Sequence, residues 1–170
     1  MPGFAQSYDR MVTLVGTVPN LPAYAGTTAF TPEPRRMALA EREEPGITRR
    51  FHVIGNAQDA MPHEGGAFSG NVRDDRFSIK VQVAYYVAGG EARTGGAATS
   101  SDEAGIDRVA MDDLNRLRQH LQNPANFDAV TTGILHVRWN GTNPLPRPAT
   151  SRVQVYEIDL TLTVRHPVLT

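Results

Sequence analysis

The chain contains no cysteine. Disulfides, thiolate metal sites and a cysteine nucleophile are thereby excluded, and a reducing compartment suits the protein well. Lysine is nearly as scarce: Lys80 is the only one, so almost all of the positive charge is arginine. The planar guanidinium suits protein and phosphate contacts, although codon bias in a GC-rich genome accounts for the same composition without any contact. No window holds 18 consecutive apolar residues, so no membrane span is expected. Residues 1–10 lack a basic stretch followed by a long apolar run, so no signal peptide is expected. A net charge of −1 provides no strong field to steer nucleic acid or an anionic membrane.

Catalytic signatures are also missing. There is no Gly-x-x-x-x-Gly-Lys-Ser/Thr run, and the one lysine falls inside a strand pattern, which excludes P-loop chemistry. No Gly-x-Gly-x-x-Gly follows a strand. In Gly66-Ala-Phe-Ser-Gly70 the serine stands one place too late for a nucleophile elbow. His52, His63, His120, His136 and His166 form no His-x-x-x-His pair and lack the spacing of a zinc site, so each reads as a satisfied or solvent-facing side chain. Asp74 and Asp75 could in principle act as an acid and a base, but neighbours on a strand diverge. Asn140-Gly141-Thr142 matches a glycosylation sequon that a chain without a secretion signal would not present to that machinery. No metal and no cofactor is expected.

What remains is the pattern of one globular domain: 170 residues, 40 % hydrophobic and 21 % charged. Residues 76–87 carry the strongest signal. Phe77, Ile79, Val81, Val83, Tyr85 and Val87 alternate with Ser78, Lys80, Gln82, Ala84 and Tyr86, which predicts a long strand with one apolar face. A second strand is predicted over 47–54, where Arg49, Phe51 and Val53 alternate with Arg50, His52 and Ile54. Two more follow late in the chain. Over 132–139, Leu135, Val137 and Trp139 oppose Ile134, His136 and Arg138. Over 152–165, Tyr156, Ile158, Leu160, Leu162 and Val164 oppose Glu157, Asp159, Thr161, Thr163 and Arg165.

The clearest helix begins after Ser100, which has capping-box spacing to Glu103. Ile106, Val109, Ala110, Leu114, Leu117 and Leu121 recur at three- and four-residue steps, a single stripe for a single core. Asp112 and Arg116 are spaced to pair on its outer face, and Asn123-Pro124 ends it. Residues 11–18 fit either a strand or a short helix. Residues 19–34, with four prolines, predict an extended arm, and 35–44 favour a few helical turns stopped by Pro45-Gly46. Residues 55–75 and 88–101 are Gly-rich connections, longer than compact domains usually contain. Between the last two strands, Asn140-Gly141 is a turn signal and Pro144, Pro146 and Pro148 stiffen the tip.

The expected fold is therefore α+β: a mostly antiparallel, twisted sheet of four or five strands covered on one face by an amphipathic helix, with long loops. Residues 1–46 form an N-terminal segment of the same single domain and 47–170 its core. Two basic doublets, Arg35-Arg36 and Arg49-Arg50, together with Arg138, Arg147, Arg152 and Arg165, could meet phosphates, meet carboxylates of a neighbouring subunit, or be solvated. Aromatic interleaving of the kind that stacks bases is missing.

This order of elements resembles the tail terminator (tail completion) proteins of long-tailed bacteriophages. The likeness is carried by Arg50-Phe-His-Val-Ile54, by the strand pattern of 76–87, by the helix pattern of 107–121 and by the closing alternation of 156–164. It covers roughly residue 47 onward and is a succession of elements without a signature motif. The resemblance implies a structural virion protein and no enzyme: a homohexameric ring, assembled in the host cytoplasm, that caps the tail tube. Its partners would be the tail tube protein on one side and a neck or head-completion protein on the other, with DNA passing through the lumen. Alternatives are a head-completion or tail tube protein of the same virion, or a small cytosolic ligand-binding domain. Candidate interface residues lie on the last hairpin: Trp139, Asn143, Leu145, Arg147 and Arg152.

Overall fold

The computed structural model describes residues 4–19, 30–33, 49–55, 61–62, 72–86, 103–127, 132–146 and 153–167. Their elements run in the order α1 (Phe4–Gly16), β1 (Thr31–Pro32), β2 (Arg50–Gly55), β3 (Met61–Pro62), β4 (Val72–Tyr86), α2 (Glu103–Gln122), a 3-10 turn (Pro124–Asn126), β5 (Ile134–Pro144) and β6 (Val153–Pro167). The fold is α+β. The sheet order is β1-β2-β4-β6-β5, with β3 pairing a short stretch of β4. Among the described residues only β1 and β2 run parallel; every other pairing is antiparallel.

The backbone of the sheet is the β4–β6 ladder, in register from Val72↔Pro167 to Tyr86↔Val153. The period-two pattern places Phe77, Ile79, Val81, Val83 and Tyr85 on the same face as Tyr156, Ile158, Leu160, Leu162 and Val164, and all ten are buried. Among the described residues two helices cover this face, one more than the sequence pattern predicts. From α2 come Ala110, Leu114, Leu117 and Leu121. Burying its three leucines stabilises the fold by roughly 1.5–3 kcal/mol each. The other cover is α1, where the ambiguous stretch after Met11 settles as helix. Ser7, Met11, Leu14 and Val15 recur on its buried side, and Pro19 stands where the helix can no longer continue. Ser7 Oγ donates 2.9 Å to the carbonyl of Thr132, pinning α1 to the entrance of β5.

Two local expectations on β5 are corrected. The alternation puts Ile134 on the polar side with His136 and Arg138, yet Ile134 is buried with Val137 while His136 and Arg138 are exposed. A register shift between Ile134 and His136 inserts one extra residue and turns Ile134 into the core. Asn140-Gly141 is not a turn either. The strand runs through it to Pro144 with a second register shift between Trp139 and Gly141. Just before β5, Gly133 adopts φ 73°, the left-handed region where a side chain is strained. The strand of 76–87 starts earlier than its pattern, at Val72. The predicted helix over 35–44 and most of the two Gly-rich connections lie outside the described residues.

Candidate interaction surfaces

Four features of the described structure are candidates for function: a buried ionic node, the polar face of the sheet, the last hairpin and a cleft beside α1. The node joins the sheet to its helical roof. Arg49, in phase with Phe51 and Val53, points to the core side, and its guanidinium meets Asp113 of α2 in a two-pronged pair. Nε donates 2.7 Å to Oδ2, and Nη2 donates 2.8 Å to Oδ1. Both side chains are fully buried. Tyr85 adds a longer hydroxyl bond of 3.3 Å to Asp113 Oδ2, and the Phe30 ring lies 4.0 Å under the Arg49 guanidinium carbon. Burial pushes the Asp113 carboxyl above its ordinary range despite the pull of Arg49. Burial, reinforced by the neighbouring carboxylate, holds the Tyr85 phenol protonated far into the alkaline range. Its chemistry is that of a fastener between the start of β2, β4 and α2.

On the opposite face the cations reach water. Lys80 of β4 reaches Glu157 at 2.5 Å and Asp159 at 3.3 Å on β6, and these carboxylates raise its pKa. Gln82 Nε2 donates 2.8 Å to the other oxygen of Glu157. Asn140 Nδ2 donates 2.8 Å to Thr161 Oγ1. Arg76, Ser78, His136 and Arg138 are exposed on the same side. Towards the far end of β4 this face turns apolar: Ala84, Val153 and Val155 are buried together, with Leu145 packed on them. At the other end Arg165 grips Asp74 with two bonds of 2.7 and 2.9 Å. Asp75 points to the opposite side and pairs with Arg73. The two neighbouring aspartates thus diverge, as the strand pattern requires, and each is committed to an arginine.

The sequence-predicted interface residues do not form one patch. Trp139 is half-buried against the helix-side core, and its indole N–H donates 3.2 Å to Thr142 Oγ1. Asn143 and Pro144 are exposed near the end of β5. Leu145 is half-buried on the other face. Its N–H donates 2.8 Å to the Val155 carbonyl, and its own carbonyl accepts 3.0 Å from Gln154 Nε2. Arg147 and Arg152 lie outside the described residues. The hairpin therefore offers an exposed, proline-bearing end on a strand that is otherwise tied down.

No family model matches the chain, and no curated protein matches it. Among the described residues no three His, Cys, Asp or Glu side chains are grouped to hold a metal, and no helix is long and apolar enough to cross a membrane.

The cleft opens beside the end of β2. It encloses about 500 Å³ between Phe4, Ala5 and Tyr8 of α1, residues 52–55 of β2, and Phe77. Phe4 and Phe77 meet edge to face at 5.1 Å. Tyr8 donates 2.7 Å to the Val53 carbonyl, which brings its ring so close to the strand that a Cβ on Gly55 would stand 3.1 Å from it. His52 Nδ1 lies 2.7 Å from the Glu33 carbonyl and must donate to it, so in the neutral ring Nε2 is an acceptor. Sequence reasoning missed both the node and the cleft. The node left a signal: Asp113 is a carboxylate on the leucine stripe and Arg49 an arginine on the apolar side of its strand. The cleft left none, because it forms where α1 crosses a strand some 45 residues away.

Proposed function

We propose that this chain is a structural subunit of a tailed-phage virion, a tail terminator whose copies close into a hexameric ring between tail tube and neck. The observation that supports this best is the one-sidedness of the sheet. Both helices pack on one face, while the other presents long strands with exposed Arg76, Ser78, Lys80, His136, Arg138 and Asn140. A face of this kind, bounded by the exposed Asn143–Pro144 end of β5, suits docking of rigid shapes more than capture of a small substrate. Lys80, Gln82 and Asn140 are bonded across the strands to Glu157, Asp159 and Thr161, so this part of the surface is stiff before a neighbour arrives.

Native mass spectrometry and negative-stain microscopy of the purified chain test this reading. The expected result is discrete rings at six times the 18.6 kDa subunit mass. Long tubes would instead favour a tail tube protein. One observation favours a different class altogether: the apolar cleft falls within the 300–1,000 Å³ typical of small-molecule sites. A persistent monomer that retains a metabolite would replace the ring reading with a ligand-binding domain.

A further inference from the structure

The cleft and the hairpin end are complementary in chemistry and lie at opposite edges of the sheet. The cleft is walled by three aromatic rings, Phe4, Tyr8 and Phe77, and closed by the β2 backbone at Gly55. Pro144-Leu145-Pro146 is an apolar segment whose two prolines have no N–H to leave unpaired and are both exposed. Proline-rich segments in extended conformation dock on aromatic-lined grooves because their backbone is already ordered before binding.

Charge is complementary too. From Asn140 to Arg152 the sequence has two arginines and no acidic residue. Asp9, exposed on α1 beside the cleft, lies near enough to Tyr8 to help hold its phenol protonated. The positive charge of α1 itself is turned away, since Arg10 donates to the Asn126 carbonyl below α2.

The hairpin cannot fill its own cleft. β5 and β2 are separated by β6 and β4, about 14 Å at ~4.8 Å per strand spacing. Leu145 is held to β6 at both its N–H and its carbonyl. We infer that the cleft beside α1 is the socket for Pro144–Pro146 of a second copy. Plug and socket occupy different surfaces, so the contact is heterologous and gives a ring where the rotation between copies closes. The inference rests on the ring reading above and names the contact that would build it.

Sedimentation velocity on the full chain tests it. Ala5 is an exposed helix residue lining the cleft, so Ala5→Trp fills the socket without touching the core. Pro144→Ser with Pro146→Ser blunts the plug. Each is expected to weaken self-association about tenfold or more, the effect of removing a central hot-spot contact, with little further loss when they are combined. Asp9→Arg should weaken it as well, since the sequence after Pro146 carries arginine and no carboxylate as far as Arg152. Rings that persist unchanged in all these variants overturn the socket and leave the ring reading standing. Should the wild-type chain stay monomeric at every concentration, the ring reading falls. The socket is then judged by anisotropy of a labelled peptide of residues 142–149 titrated with the full chain. Binding that Ala5→Trp abolishes upholds it. No binding, or a hydrophobic dye that occupies the cleft and is not displaced by the peptide, overturns it.

Discussion

The two faces of this sheet each hold an ionic cluster of nearly the same bond lengths, in opposite circumstances. On the helix side, Arg49 and Asp113 meet at 2.7 Å with neither side chain exposed. On the other side, Lys80 meets Glu157 at 2.5 Å while 46 % exposed. Distance does not rank them; water does. If the buried pair is broken by removing one partner, the other charge is stranded away from solvent. The exposed pair, once broken, is rehydrated at once. The buried node therefore sets which helix sits on which strand, while the exposed lattice stiffens a surface and leaves it open to neighbours.

The largest effect is expected from Asp113→Ala. It leaves the Arg49 guanidinium buried without its carboxylate and should destabilise the fold by about 3–5 kcal/mol in urea unfolding. Replacing both partners, Arg49→Met with Asp113→Leu, should recover most of that loss, because the penalty lies in a charge buried without its carboxylate. A single substitution that loses less than about 1 kcal/mol would mean that water reaches the site, and the contrast between the faces would collapse. Next in size is Tyr85→Phe. It removes only a 3.3 Å hydroxyl bond to a carboxylate that keeps both bonds to Arg49, so a loss of about 0.5–1.5 kcal/mol is expected in the same measurement. A larger loss would show that the phenol shares in holding the Asp113 charge.

Much of this was legible in the residues. The alternation in β4 and β6 named their buried faces correctly, since period two survives wherever both neighbours are paired strands. The leucine stripe of α2 named its roof. The same patterns also contained the node. Asp113 falls three residues after Ala110 and four before Leu117, and Arg49 shares a phase with Phe51 and Val53. Two opposite charges on two apolar stripes ask to be paired. Less legible was β5, where single inserted residues shift the phase and no propensity marks them in advance. The hairpin residues singled out from sequence were chosen for their exposure on a projection. Trp139 and Leu145 instead pack on opposite faces of the sheet, which composition alone does not reveal.

The exposed half of the comparison is sharpened by Lys80→Ala. Cross-strand attraction to Glu157 and Asp159 is screened, so the loss should be about 0.2–1 kcal/mol in low salt. It should shrink further near 1 M salt, where the Debye length falls to about 3 Å. Salt should leave the Asp113→Ala loss almost unchanged, because ions do not enter the core. Measuring both variants in low and high salt separates the two kinds of ion pair directly. A Lys80 effect that is large and insensitive to salt would mean that its face is covered.

Between these extremes stands His120, half-buried at the end of α2, where the smallest effect is expected. Its Nε2 lies 3.3 Å from Thr17 Oγ1, and its Nδ1 lies 3.3 Å from Asn126 Nδ2. Asn126 Nδ2 also donates 2.8 Å to the His120 carbonyl, which marks it as the amide nitrogen. Nδ1 must then accept, and the neutral ring donates from Nε2 to Thr17. Thr17 is free to accept there, since its own hydroxyl donates 3.1 Å to the Leu14 carbonyl. Protonation would set Nδ1–H against the Asn126 N–H. Burial first and the charge of Arg10 second lower the His120 pKa in the folded chain. A lowered histidine pKa means that the unfolded chain binds the proton first. The stabilisation is therefore complete above the ordinary value of 6.5 and is lost as the pH falls through and below it. Thermal unfolding of the wild-type chain should shift downward over that window by less than the Lys80→Ala loss, and His120→Gln should flatten the slope. A wild-type profile already flat from neutral pH to below 6 would show that Thr17 and Asn126 reorganise around the imidazolium, and that the α1–α2 seam is as tolerant as the polar face.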